Sequence, residues 1–350
     1  MLIWIGNIIL LFVYALVFKL SNLNKNGRSI LIFVVMFGQL MFLYTLKDHT
    51  IFNDLWAYLE GFHNSKEVGW IELYKIQDFN SYLRYELGWR YFTKLMSSLF
   101  NNELIFTFTT GAFITYSYFN LIKKYSLVHW FSIFLFISIV FYNSMFVLRQ
   151  NVAIAICLYA IPYIIDRKLW KFLFVIGIAF LFHKTAFVFI GLYIIYPLKI
   201  NYNFYIYLLA FFLIIKFVSF IILQFTVDAG FSAVYLLEES RANITPFLIS
   251  LSLVLFTGFI LYPLKNIDND EKLFFIMLCI LMVFDLSRTD LFGTIGRLGK
   301  YLFPATIILI PNITEKINNP TFRVLIRILI IVLFSITSLQ ALNYGFKLSI

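Results

Sequence analysis

Apolar runs of membrane length recur along this chain from one end to the other, and no other feature restricts its fold as much. They fall near residues 2–20, 29–46, 104–122, 128–147, 151–165, 169–182, 185–197, 204–226, 246–264, 272–287, 298–312 and 321–342. Runs of this kind read as spanning helices. The expected fold is therefore all-α: a polytopic integral membrane protein with about 11–12 transmembrane helices. Composition agrees, since 61% of residues are hydrophobic and only 13% are charged, where a soluble domain is nearer a quarter charged. The sequence offers no soluble domain and no internal repeat. It reads as a single transmembrane domain over 1–350, with residues 47–103 as its one longer extracytoplasmic loop. The first run has neither a basic n-region nor a small-residue cleavage site, so it is expected to be a retained span.

The net charge of +10 comes from basic residues scattered between spans, not from a basic domain. It is a topology signal, and nucleic acid is not an expected partner. The loops SNLNKNGRS, KKYS, DRKLWK, PLKINYN, KNIDNDEK and TEKINNPTFR alternate with the other connections. Placing them inside puts both termini outside and gathers most acidic residues on the outer face. Cys157 and Cys279 lie within spans and make no disulfide framework. The histidines lack metal-ligand spacing, and there is no Walker A, dinucleotide turn, HExxH or outer-loop DxD pair. No cofactor and no metal are expected.

The stretch AFLFHKTAFVF, residues 179–189, sets a polar pair in an apolar segment. Residues 169–196 admit two readings: one long span with His183 and Lys184 at mid-membrane, or two short helices in a hairpin. Leu169–Phe182 makes only ~21 Å of helix, short for a ~30 Å core. The hairpin is favoured, and it places the pair at the edge of a cavity open to the outer side. Asp54, Glu86, Arg149, His183, Lys184, Arg241, Arg288, Asp290 and Arg297 then all reach that side.

Several of these have chemistry suited to a site. Asp54 and Tyr58 are four apart and share a helical face. Arg84, Glu86 and Gly88 precede WRYFTKLMSSLF, which reads as an interfacial helix with Trp89, Phe92, Leu95, Met96 and Leu99 on its apolar face. The loop is rich in Trp and Tyr, as either an ordinary interfacial belt or a stacking platform for sugars. Arg149 and Gln150 stand between two apolar spans with no charged neighbour, and a guanidinium fork suits phosphate. Arg297 and Tyr301, four apart, follow Arg288 and Asp290 in the last outer connection. Lys216 falls mid-span, facing either the bundle interior or the interface.

In order, D-x-x-x-Y at 54–58, E-x-G at 86–88, L-R-Q-x-x-A at 148–153, A-F-L-F-H-K-T-A at 179–186 and R-x-x-x-Y at 297–301 resemble the EpsG-type polysaccharide polymerases. These are similar in role to the Wzy O-antigen polymerases. The family's E-P-G stands here as E-L-G. The resemblance implies a membrane glycosyltransferase of the bacterial inner (plasma) membrane, with its active site facing the periplasm or exterior. It would join undecaprenyl-diphosphate-linked oligosaccharide repeat units at the outer leaflet. A chain-length-regulating co-polymerase is implied as partner. On this reading Arg149, Arg297 and Lys184 bind the diphosphate. His183, Glu86 and Asp54 are the catalytic candidates. Tyr58, Gln150 and Tyr301 contact sugar. A flippase of lipid-linked oligosaccharides is the alternative. It would use the same arginines, but polar residues on both sides or paired repeats are expected of a transporter.

Overall fold

A computed structural model describes residues 2–21, 24–45, 47, 53–75, 85–228, 245–261, 267–287 and 293–342. Among the described residues the regular structure is helical. In chain order the helices are α1 (Leu2–Leu20), α2 (Lys25–Thr45), α3 (Asn53–Ser65), α4 (Glu72–Lys75), α5 (Leu87–Leu99), α6 (Glu103–Tyr125) and α7 (His129–Phe136). A π segment, Ile137–Phe141, leads to α8 (Tyr142–Ser144), followed by α9 (Leu148–Leu158), α10 (Ile161–Ile165), α11 (Leu169–Phe182), α12 (Val188–Ile195) and α13 (Tyr202–Asp228). The last are α14 (Thr245–Leu261), α15 (Asn269–Ser287), α16 (Gly293–Gly299), α17 (Phe303–Glu315) and α18 (Pro320–Leu342).

Two helical stretches, Asn26–Thr45 and Pro320–Ser338, are by themselves long and apolar enough to cross a membrane, and shorter apolar helices accompany them. Several apolar runs are broken for local reasons. The run 151–165 ends α9 at Leu158, four residues before Pro162. In a continuous helix the proline ring would clash with the Leu158 carbonyl, and Pro162 has no N–H to donate. The run near 298–312 passes from α16 through a 3-10 turn at Lys300–Leu302 into α17, where Pro304 stands in the first turn. Proline is accepted there because the first N–H groups of a helix are unpaired in any case. The run 169–196 is also not continuous. Helix α11 stops at Phe182, and a 3-10 turn, Lys184–Phe187, precedes α12. No single helix carries His183.

The chain packs as two units. The first comprises Met1–Ile161, Trp170–Ala186 and Asn318–Ile350. Within it α2 packs on α6, α6 on α9, and α1 on α2 and α7, while α3 lies against α5. The π segment breaks the regular hydrogen-bond ladder, and Ser138 O accepts the Ser338 hydroxyl of α18 at 3.0 Å. Helix α6 turns its polar side inward. Thr107, Thr110, Thr115 and Ser117 are buried, whereas Phe108, Phe113 and Tyr116 are exposed. Thr107, Thr110 and Ser117 return their hydroxyls to carbonyls one turn back, at 3.0, 2.8 and 2.7 Å.

One close approach fixes the α2–α6 contact. The Tyr44 ring lies flat against Gly111, where an added Cβ would sit 2.5 Å from Tyr44 Cδ1. The Tyr44 hydroxyl donates to Ser144 O at 2.7 Å, and Lys47 Nζ stands 3.9 Å over the ring centroid. Gly111→Ala overpacks this contact and should cost ~1–3 kcal/mol. The check is a thermal unfolding scan of the detergent-purified protein, and an unchanged midpoint would contradict the packing.

The second unit comprises Pro162–Leu169 and Phe187–Ile317. Its core is α15, buried along almost its whole length and touched by α12, α13, α14, α16 and α17. Glu271 Oε2 at the start of α15 accepts Lys316 Nζ at 2.6 Å. Arg167, just after α10, has φ 56°. A non-glycine residue holds that conformation only where its surroundings fix it. Here the guanidinium donates to Tyr193 O and lies 3.8 Å over the Tyr193 ring.

Candidate functional site

The outer loop forms around an aromatic nucleus. Tyr58 on α3 is buried, with its ring 5.4 Å from that of Tyr85 and 5.3 Å from that of Trp89. Trp89 in turn meets Phe106 of α6 at 5.8 Å. Tyr58 and Trp89 are thus packing residues. Trp56, Trp70, Tyr74 and Tyr91 remain exposed, with Trp70 stacked on Tyr91 at 6.2 Å and 15°.

Helix α5 does not bury the face that its apolar residues suggest. Trp89, Thr93, Lys94, Met96 and Ser97 are buried, whereas Leu95 and Leu99 are exposed. The reason is the neighbour: α3 lies against this side, with Tyr58 near Trp89 and Ser65 near Ser97. Polar residues there find partners, Ser97 Oγ with Ser65 Oγ at 2.8 Å and Lys94 Nζ with Lys66 O at 2.9 Å.

Arg149 lies in the first turn of α9, with its side chain mostly buried. Its Nη1 donates to Glu86 Oε2. The guanidinium lies over Tyr85, with Cζ 3.9 Å from the ring centroid, and 5.7 Å from that of Tyr58. Its Nε is buried with no hydrogen-bond partner among the described residues. The same Glu86 uses Oε1 to accept the Lys184 backbone N–H at 3.3 Å. Glu86 therefore ties the outer loop to α9 and to the break after α11.

Gly88 makes that tie possible. Its backbone presses on α11, where a Cβ would fall 2.8 Å from Leu181 O and 2.9 Å from Leu181 C. Only a residue without a side chain lets the loop come so near, two residues before His183. The His183 ring is held by Thr185, whose Oγ1 is 2.6 Å and whose N is 3.3 Å from Nδ1.

The remaining candidates take varied places. Asp54 is exposed on α3, one turn from Tyr58, and its charge is felt at the phenol. Burial, the largest influence, pushes the Tyr58 hydroxyl up to about 12, so it stays protonated at neutral pH. Gln150 is buried in α9. The Lys184 side chain is exposed, and it is the backbone N–H of Lys184 that meets Glu86. In the second unit Arg297 is exposed on α16, whereas Tyr301 is fully buried with its ring 6.2 Å from that of Phe189. The switch to a 3-10 turn at Lys300 separates two residues expected to share a face. Arg84, Arg241, Arg288 and Asp290 lie outside the described residues.

Two parts of the site escape a reading by residue type. Tyr85 reads as one more loop aromatic, yet it is the surface on which Arg149 lies. Thr185 reads as a filler between Lys184 and Ala186, yet it sets the His183 ring. For each, the only sequence signal is adjacency to a charged candidate.

The family model for the EpsG family matches residues 30–347. No curated protein matches the chain, and no solved structure matches it.

Proposed function

The chain belongs to the EpsG family, and from that premise we propose that it is a polysaccharide polymerase acting on lipid-diphosphate-linked repeat units. Membership of the family implies a polymerase-like activity in exopolysaccharide synthesis. The finer reading is a multi-pass glycosyltransferase of the bacterial plasma membrane with its site on the outer face. Its substrates are oligosaccharide units on undecaprenyl diphosphate, and a co-polymerase sets chain length. The hydroxyl residues of α6 are buried while Phe108, Phe113 and Tyr116 face outward, which supports the membrane part of this reading.

One observation carries the site. Three segments distant in sequence, around Glu86, Arg149 and Lys184, meet through a single carboxylate. In the transfer, an acceptor hydroxyl oxygen forms a bond to the anomeric carbon of the growing chain as the bond from that carbon to the diphosphate oxygen breaks. The hydroxyl proton goes to a base, and the electron pair leaves with the diphosphate. Fixed cations are needed where that charge develops. Arg149 is such a cation, set by Glu86 and the Tyr85 ring. Lys184 adds positive charge at the carrier. Tyr58, Gln150 and Tyr301, expected to contact sugar, are buried instead, Tyr58 against Trp89 and Tyr301 near Phe189. His183, Asp54 and Glu86 are the groups able to handle the proton.

A surface-glycan gel of a strain lacking the protein tests this. Single repeat units on the final carrier are the expected result, since polymerisation is lost while export continues. Lipid-linked units accumulating inside, with nothing at the surface, would replace the polymerase by a flippase and make Arg149 a transport contact.

A further inference from the structure

By titration range alone, His183 is the natural base for the acceptor hydroxyl. The geometry of its turn points elsewhere. The His183 backbone closes α11, its N–H donating to Ala179 O at 3.0 Å. Its carbonyl opens the next turn by accepting Ala186 N–H at 3.0 Å. The side chain then folds back over the turn it has begun. Nδ1 meets both polar groups of one residue, Thr185 Oγ1 at 2.6 Å and Thr185 N at 3.3 Å. A backbone N–H can only donate, so Nδ1 carries a lone pair. A neutral imidazole has one N–H and one bare nitrogen, and the proton is then on Nε2. A ring in this state donates from Nε2 and takes no proton there.

We propose that His183 serves the reaction as an Nε2–H donor to an anionic diphosphate oxygen, with Thr185 as the positioning residue that holds this tautomer. The inference rests on the reading above that the site handles a lipid diphosphate. Among the described residues, the charged groups tied to this turn are Glu86 and, through it, Arg149, with the Lys184 ammonium on the turn itself. Glu86 is already engaged by Arg149 and by the Lys184 N–H, so it is not the acceptor's base. The acceptor's proton passes to a carboxylate instead. Asp54, exposed on α3 with its charge felt at the Tyr58 phenol, is the remaining carboxylate candidate.

The first test does not depend on activity. The 15N-histidine NMR spectrum of the full-length protein in micelles, with His183 identified by difference from His183→Gln, should show a bare Nδ1 and a protonated Nε2 above neutrality. A protonated Nδ1 would overturn the proposal.

The second test measures polymer formation against pH. Membranes from the native strain lacking its own copy supply the lipid-linked units, and variants of the full chain are added back. His183→Gln keeps an N–H donor and should stay within ~10-fold of wild type with the same pH profile, while His183→Ala should lose ~100-fold or more. Thr185→Val should lose ~3–10-fold at the alkaline end of the profile, and the deficit should close as pH falls and the ring gains its second proton, since a doubly protonated ring carries Nε2–H in any case. Thr185→Ser should restore the rate. If His183→Gln falls as low as His183→Ala, or the Thr185→Val deficit is the same at every pH, His183 is not the donor. If membranes lacking the protein make full-length polymer, the polymerase reading itself falls and takes the diphosphate with it. The NMR result separates that outcome from a wrong tautomer.

Discussion

Arg149→Lys should leave the protein at its normal level and remove the polymer. The physical reason lies in the shape of the cation, not in its charge. The guanidinium is a plane, with Cζ 3.9 Å from the Tyr85 ring centroid while Nη1 reaches Glu86. A lysine ammonium can still pair with Glu86, so the loop stays docked and the chain stays folded. It cannot lie flat on the ring, and it cannot present two parallel N–H groups to a phosphate. Loss of one such preorganised donor set lowers rates by ~10²–10³-fold. On a surface-glycan gel the polymer ladder should vanish, with an immunoblot showing unchanged protein. A ladder of normal length and strength would remove Arg149 from the site.

Gly88→Ala should have an effect as large by a different route. The new Cβ would be 2.8 Å from Leu181 O, a backbone atom of α11 that cannot swing aside as a long side chain does. The loop must then retreat from the helix. Glu86 loses the Lys184 N–H, and Arg149 loses the geometry that Glu86 gives it. The expected result is loss of polymer together with a lowered unfolding midpoint. Gly177→Ala is the control. Gly177 lies in the same α11 with nothing within 4 Å of an added Cβ. Alanine there should keep the polymer and stabilise the helix by up to ~1 kcal/mol. Equal behaviour of the two variants would show that the 86–88 segment does not depend on its approach to Leu181.

Much of the helical layout is written in local sequence. Run length and apolar content place α1, α2, α11 and α18 within a few residues of their observed ends, because a helix satisfies its own backbone wherever it is packed. The run 151–165 is expected as one span, yet it is divided at Pro162, whose ring would clash with a carbonyl four residues back. The burial of α5 is not legible. Its apolar residues and its buried residues differ, because a helix face is chosen by the element that covers it, and α3 lies against the side of Trp89 and Ser97.

The site divides along the same line. Residue type and neighbours single out Asp54, Glu86, Arg149, His183 and Lys184, since charged groups in apolar surroundings are costly and call for a reason. Which of them meet was decided only by tertiary structure. Glu86 pairs with Arg149 across 63 residues and with the Lys184 N–H across 98. Arg297 and Tyr301, with the same spacing as Asp54 and Tyr58, show the same pattern of an exposed first residue and a buried second, which only packing decides. Hydropathy and spacing report each segment's own backbone. A contact between segments depends on how closely two backbones approach, and at Gly88 that approach is set by one missing Cβ.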